Sequence, residues 1–271
     1  MRRGPATAKL NLAMVVGPRR EDGMHEVATV LQRVDLADRV ALEPAAALSV
    51  EGFDDTIVRR ALESLAAAAG VRPSWRVRLT KRIPASAGLG GGSSDAATAL
   101  RLGNATLPEP LAPGRLHELA AATGADVPFF LEQGPQLASG DGTTLRPLAL
   151  PQDYWVVLVL PRWAAKPSTA AVYDAFDERR GDKGFRTRRA ALRRALDGVM
   201  RARDLDALPP NDLATSPLAD ELRALGAFRA DVTGAGPVVY GLFQHLEPAR
   251  AARRAAGRFG RTWLTVPAWY G

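Results

Sequence analysis

Apolar positions cluster in short runs that alternate with longer periodic stretches. TAKLNLAMVV (7–16) is apolar except around Lys9 and Asn11 and predicts a strand, followed by a turn-rich loop, GPRREDG (17–23). DDTIVRRALESLAAAAG (54–70) repeats Ile57, Ala61, Leu62 and Leu65 on one side, with aspartates at its start and Gly70 as its stop, and predicts a helix. WRVRLTKRI (75–83) alternates as a strand, a glycine-rich turn leads into a helix to about Leu102, and PGRLHELAAATG (113–124) predicts a further helix. After Leu150-Pro151 the pattern restarts with the apolar run YWVVLVLP (154–161). Helical segments then lead to FRADVTGAGPVVYGLF (228–243), which reads as strand, glycine turn, strand. A last helix and the strand RTWLTV (261–266) end the pattern. Two α+β domains are expected, 1–150 and 151–271, with a cleft between them.

Composition narrows the chemistry. The 271 residues are 46% hydrophobic and 24% charged, as in an ordinary globular protein with a core, and contain no cysteine, which excludes disulfides, thiolate metal sites and thiol nucleophiles. His25, His117 and His245 lie far apart in the chain, without the spacing of a zinc site. The first residues, MRRGPATAKLNLAMVV, make a poor signal peptide because Lys9 and Asn11 interrupt the apolar run. No stretch of membrane-spanning length occurs, so a cytoplasmic location without a membrane partner is expected. The net charge of +7 comes from arginines concentrated at 186–195 and 250–261. No aromatic platform or nucleic-acid motif accompanies them, so they are read as solvated helix faces rather than a nucleic-acid footprint.

The most informative stretch is PASAGLGGGSSDAA (84–97), between a predicted strand and a predicted helix. Glycines let backbone N–H groups turn inward, and the following helix presents its positive end, which together suit a phosphate. A Walker A loop is excluded because no lysine follows the glycines, and a dinucleotide fingerprint starting at Gly88 fails at Ser93. The run Gly-Leu-Gly-Gly-Gly-Ser-Ser after a proline resembles the second motif of the GHMP kinases. AKLNL (8–12) resembles their first motif and TGAG (233–236) their third, in the same order.

That resemblance implies a fold with an N-terminal half like ribosomal protein S5 domain 2, a ferredoxin-like C-terminal half, and ATP and acceptor in the cleft. It implies ATP and Mg²⁺ as cofactors and assigns Pro84, Gly88, Gly90, Gly91, Gly92, Ser93, Ser94, Gly234 and Gly236 to the nucleotide. Ser93 or Ser94 is the candidate Mg²⁺ hydroxyl. GADVPFF (124–130) resembles the segment carrying the catalytic aspartate, here Asp126, as general base on the acceptor hydroxyl. Lys9 would lie beside it, and a lysine within an apolar strand is costly without such a partner. Asn11 would orient substrate. EDGMHEV (21–27) resembles the stretch by which one branch of the family recognises a cytidine diphosphate-linked methylerythritol, with His25 on the cytosine, and KPSTAAVYDAF (166–176) resembles the segment giving Thr169 and a stacking ring, Tyr173. As a plain pattern, Tyr173 reads equally as a core aromatic.

The chain departs from the family pattern at several positions. Met24 stands where a stacking tyrosine is usual, DDTIV (54–58) where Asn-Leu lies near the adenine, and Ala235 where serine is common. Asp95 either reaches Mg²⁺ through water or points away. Beside the leading expectation stand a homoserine- or mevalonate-type kinase and a catalytically silent nucleotide binder on the same fold; the oligomeric state, monomer or homodimer, stays open.

Overall fold

The computed structural model describes residues 1–53, 56–163 and 168–268. The two aspartates expected to start the first helix, and Lys166 and Pro167 of the Thr169 segment, lie outside these. Two long strands dominate the first half. β1 (Arg2–Arg19) pairs antiparallel with β2 (His25–Pro44), with register shifts after Thr7, Asn11 and Val16. β1 is buried continuously from Ala6 to Val16, as its near-unbroken apolar run requires, because both faces are covered. The expected loop at 17–23 is shorter than the sequence suggests. β1 continues to Arg19, which pairs with His25, and Gly17 sits so close under the Phe185 ring that an added Cβ would lie 2.9 Å from it.

β1 runs along one edge of β2. The other edge carries β4 (Trp75–Thr80) at one end, with β3 (Ser49–Glu51) beyond it, and β5 (Gln136–Gly140) at the other end, with β6 (Thr144–Pro147) outside. Three helices, α1 (Thr56–Ala68), α2 (Gly91–Asn104) and α3 (Pro113–Thr123), belong to this half. The 3.6-residue spacing of Val58, Leu62 and Leu65 buries one side of α1 in a core with Leu42, Val77 and Leu100. Each such leucine, fully buried, contributes about 1.5–3 kcal/mol of transfer free energy.

The second half forms a four-stranded antiparallel sheet in the order β10 (Gly260–Thr265), β7 (Trp155–Pro161), β9 (Val239–Phe243), β8 (Arg229–Val232). Helices α6 (Pro217–Ala224) and α7 (Leu246–Ala256) pack on one face through Leu222, Ala249 and Ala252. The opposite face shares a core with the first half: Val156, Leu158 and Tyr240 lie in one cluster with Leu10, Leu12 and Val15 of β1. β1 is therefore common to both halves, and the residues that interrupt its apolar run sit where the two meet. Helices α4 (Thr169–Glu178) and α5 (Phe185–Asp197) close the side next to the β1–β2 hairpin. Among the described residues no helix is long and apolar enough to cross a membrane.

Candidate active site

Residues two apart on a strand share a face, so Lys9 and Asn11 of β1 point the same way. Both are almost fully buried. Lys9 Nζ donates to Asn11 Oδ1 at 2.7 Å and lies 3.4 Å from Asp126 Oδ2. Asn11 Nδ2 donates to Thr29 Oγ1 at 2.8 Å, and Thr29 in turn donates to the Ala13 carbonyl at 2.7 Å. Thr233 Oγ1 also lies 3.4 Å from Asn11 Oδ1, while one Nδ2 hydrogen lies beyond these bonds. Asp126, on the short link between α3 and a 3-10 turn (Pro128–Leu131), keeps its side chain 40% exposed toward the cleft.

The glycine turn is folded back onto this pair. Lys9 N donates to the Leu89 carbonyl at 2.9 Å. Gly88 has φ +79°, and a Cβ there would lie 2.4 Å from the Thr233 carbonyl oxygen; Gly90 has φ +70°, and a Cβ would lie 3.0 Å from both Lys9 Cγ and the Phe130 ring. At these two positions only glycine combines the left-handed backbone with the close approach. Gly90 caps α2 without any side-chain bond, so the first N–H groups of the helix are left for a ligand. Thr233 ties the third glycine segment in, accepting from Asn11 N at 3.1 Å.

Behind the loop, Lys81 bridges two fully buried carboxylates, Asp38 at 2.5 Å and Asp95 in a very short contact. Burial pulls the Lys81 ammonium down, but Asp95 and Asp38 outweigh it and hold its pKa above the usual lysine value. Asp38 is fixed by the backbone N–H groups of Arg82 (2.5 Å) and Ile83 (2.8 Å).

At the other end of the cleft, His25 opens β2. Its Nε2 lies 2.7 Å from Asp177 Oδ1, its ring stacks on Tyr173 at 4.7 Å, and Phe176 meets its edge at 6.0 Å. Tyr173, Phe176 and Asp177 fall at i, i+3 and i+4 on α4, one helix face turned to the histidine. The bond from His25 is the main cause that holds the Asp177 carboxyl below its usual range, helped by Arg19, which is 3.2 Å from both Asp174 and Asp177. Burial first, and the Asp126 charge second, push the Tyr173 phenol above its usual value. One cleft of about 910 Å³ is lined by Lys9, Asp126, Gly90, Ser93, His25 and Tyr173 together.

Residues 56–134 are similar to the GHMP kinases N terminal domain and residues 189–262 to the GHMP kinases C terminal domain. The chain is 39% identical over 277 residues to the 4-diphosphocytidyl-2-C-methyl-D-erythritol kinase of Pelotomaculum thermopropionicum (strain DSM 13744 / JCM 10971 / SI), covering 95% of this chain and 93% of that one. The chain belongs to the GHMP kinases. The enzyme of the same name from Salinibacter ruber (strain DSM 13855 / M31) is 36% identical over 266 residues, 91% of this chain and 92% of its own. A crystal structure of 4-(cytidine 5'-diphospho)-2C-methyl-D-erythritol kinase superposes with a TM-score of 0.78 at 32% identity, covering 98% of this chain and 99% of that one. A crystal structure of mevalonate kinase reaches 0.76 at 13% identity, covering 98% of this chain and 99% of that one, which speaks for the fold alone.

In this GHMP kinase the cleft brings together most positions expected from its motifs: Lys9, Asn11, His25, Pro84, Gly88, Gly90, Gly91, Gly92, Ser93, Asp126, Thr169, Tyr173 and Gly234 all line it. Two do not. Ser94 is buried, one helical step round from Ser93, and Gly236 supports Gly88 from behind through its carbonyl. The alternatives for Asp95 resolve toward the interior, where it meets Lys81. Met24 is 47% exposed at the rim. The motifs did not point to Thr29, Lys81, Arg33 or Asp177, whose partners come from distant segments of the chain.

Proposed function

We propose that this GHMP kinase transfers the γ-phosphoryl group of ATP to the 2-hydroxyl of 4-diphosphocytidyl-2-C-methyl-D-erythritol, a step of the non-mevalonate route to isoprenoid precursors. The observation that carries this is the Lys9–Asp126 pair, at 3.4 Å, facing the glycine turn in the same cleft that holds His25 and Tyr173. Asp126 takes the proton of the acceptor hydroxyl as its oxygen bonds to the γ-phosphorus and the bond to the β-phosphate oxygen breaks, leaving ADP. The Lys9 ammonium, 3.4 Å from that carboxylate, offsets the charge that develops on the acceptor oxygen. Backbone N–H groups of the turn and the first turn of α2 hold the phosphates, so alignment rather than covalent chemistry lowers the barrier.

Among the described residues no three carboxylates or histidines form a metal cage. The cleft suits Mg²⁺ arriving with ATP, which keeps most of its waters, and Ser93, which lines the cleft, would be the protein hydroxyl offered to it. Bound there, it would neutralise phosphate charge. At the other end, Tyr173 offers the cytosine the ring face not stacked on His25, and His25 its ring edge, with Thr169 at the start of α4 for the acceptor; Met24 offers a softer apolar surface at the rim. The division into domains 1–150 and 151–271 is part of this proposal.

The test is ADP release with Mg²⁺-ATP and four separate acceptors: diphosphocytidyl-methylerythritol, the same sugar phosphate without cytidine, homoserine and mevalonate. Turnover confined to the first is expected. Turnover with one of the others instead would overturn the substrate, and ATP binding without turnover on any of them would overturn the activity.

A further inference from the structure

Lys9 and Arg33 are direct partners across the β1–β2 ladder. Facing residues of an antiparallel pair lie on the same side of the sheet, and like charges in that position destabilise it unless each is offset. Both side chains are nearly fully buried, Arg33 at 3% exposure. What offsets them is one seven-residue stretch of chain, 126–132. Lys9 meets its first residue, the Asp126 carboxylate, at 3.4 Å. Arg33 Nη2 donates to the Phe129 carbonyl at 3.2 Å and, in a very short bond, to the Glu132 carbonyl at its end.

The guanidinium also lies over the Phe129 and Phe130 rings, at 5.5 and 5.8 Å from their centroids. Phe130 in turn presses on the phosphate turn, where a Cβ at Gly90 would come within 3.0 Å of its ring. Burial, then the charge of Arg101, pulls the Arg33 pKa down to about 10, so the group is cationic at neutral pH but held at a cost. A leucine or methionine would fill the same apolar space without that cost, but neither donates to the two carbonyls.

We propose that Arg33 is a positioning residue for the phosphoryl-transfer step: it grips the 3-10 turn behind Asp126 and thereby fixes the carboxylate against Lys9 and the phosphate turn. The assignment rests on the reading of Asp126 as the base. It predicts a defect in turnover rather than in binding, because Arg33 is not among the cleft-lining residues and acts through the placement of Asp126.

The experiment measures kcat and both KM values for Arg33→Met, Arg33→Lys, Asp126→Asn and the double variant Arg33→Met/Asp126→Asn, with diphosphocytidyl-methylerythritol and Mg²⁺-ATP. Arg33→Met is expected to lower kcat by about 10- to 100-fold with KM values within about 3-fold, and Arg33→Lys, which keeps the charge but not the planar guanidinium over the two rings, to recover part of it. In the Asp126→Asn background Arg33→Met should cost less than about 2-fold more. If Arg33→Met does not fold, Arg33→Lys decides the matter, and a lowered kcat at unchanged KM in that variant supports the role. Wild-type kcat in Arg33→Lys and in any folded Arg33→Met, or a full multiplicative loss in the double variant, overturns it while leaving Asp126 in place. Wild-type turnover of Asp126→Asn overturns the base and the role of Arg33 with it.

Discussion

Lys9 Nζ stands 3.4 Å from Asp126 Oδ2 and 2.7 Å from Asn11 Oδ1, so a single buried ammonium joins the strand shared by both halves to the carboxylate at the cleft. Replacing Asp126 with asparagine keeps the shape and removes the proton acceptor. Turnover should fall by about 10²- to 10⁴-fold. The melting temperature should fall by a few degrees as well, because asparagine still offers an oxygen to the buried Lys9 ammonium but removes its counter-charge. Steady-state kinetics beside a thermal melt check this, and near-normal turnover would rule out Asp126 as the base.

The His25–Asp177 contact of 2.7 Å joins the start of β2 to α4 and holds the imidazole by one nitrogen. His25→Ala removes the ring that Tyr173 stacks on together with that bond. It also removes the ring edge proposed to meet the cytosine, and a neutral hydrogen bond is worth roughly 0.5–1.5 kcal/mol, so KM for a cytidine-bearing acceptor should rise by about 2- to 10-fold. KM for ATP should stay within about 2-fold, since the glycine turn is at the other end of the cleft. An unchanged KM for the acceptor would mean that the base is recognised elsewhere.

How much of this was visible in the chain depends on whether a residue's surroundings are local. β4 was legible because its alternation is repeated in its burial, and α3 because Pro113 and Gly124 bound it. β2 was not. It carries Gln32, Arg33 and Asp38 in its middle, all buried, and the partners of Arg33 and Asp38 at Phe129, Glu132, Lys81 and Ile83 come from distant segments. The extension of β1 to Arg19 was hidden by turn-type residues, whose preference is overridden by pairing with His25 and packing of Phe185 on Gly17. In the candidate site, the glycine turn showed itself because its backbone needs glycine at closely spaced positions. Asp177 did not, because its meaning arises only once α4 is laid across the β1–β2 hairpin.

Gly88 and Gly70 share a left-handed backbone, with φ +79° and +65°, but differ in their surroundings. A Cβ at Gly88 would meet the Thr233 carbonyl at 2.4 Å, whereas one at Gly70 meets nothing within 4 Å. Gly70→Ala should cost only the backbone strain, about 1–2 kcal/mol, and leave KM for ATP alone. Gly88→Ala should cost more and move the phosphate turn off Thr233, raising KM for ATP by about 10-fold or more. Measuring melts and ATP kinetics on both variants separates the two effects. Equal behaviour would show that the turn does not depend on the Gly88–Thr233 contact.

Lys81 compensates two carboxylates that have no exposure, Asp38 and Asp95, and one of them also anchors the backbone at Arg82 and Ile83. Removing one partner of a buried ion cluster costs about 3–5 kcal/mol. At roughly 2–4 °C per kcal/mol for a chain of this size, Lys81→Met should melt on the order of 10 °C lower. The pH dependence has a definite sign. The folded state raises the pKa of Lys81, so folding is favoured by its proton. That contribution is complete below the unfolded lysine value of about 10.4 and is lost as the pH rises through the higher folded value. The wild type should therefore lose stability more steeply than Lys81→Met above about pH 10, with the difference between them constant near neutrality. Urea melts from about pH 7 to about pH 11.5 measure this, and parallel alkaline profiles would mean that the ammonium is not what holds the two carboxylates in place.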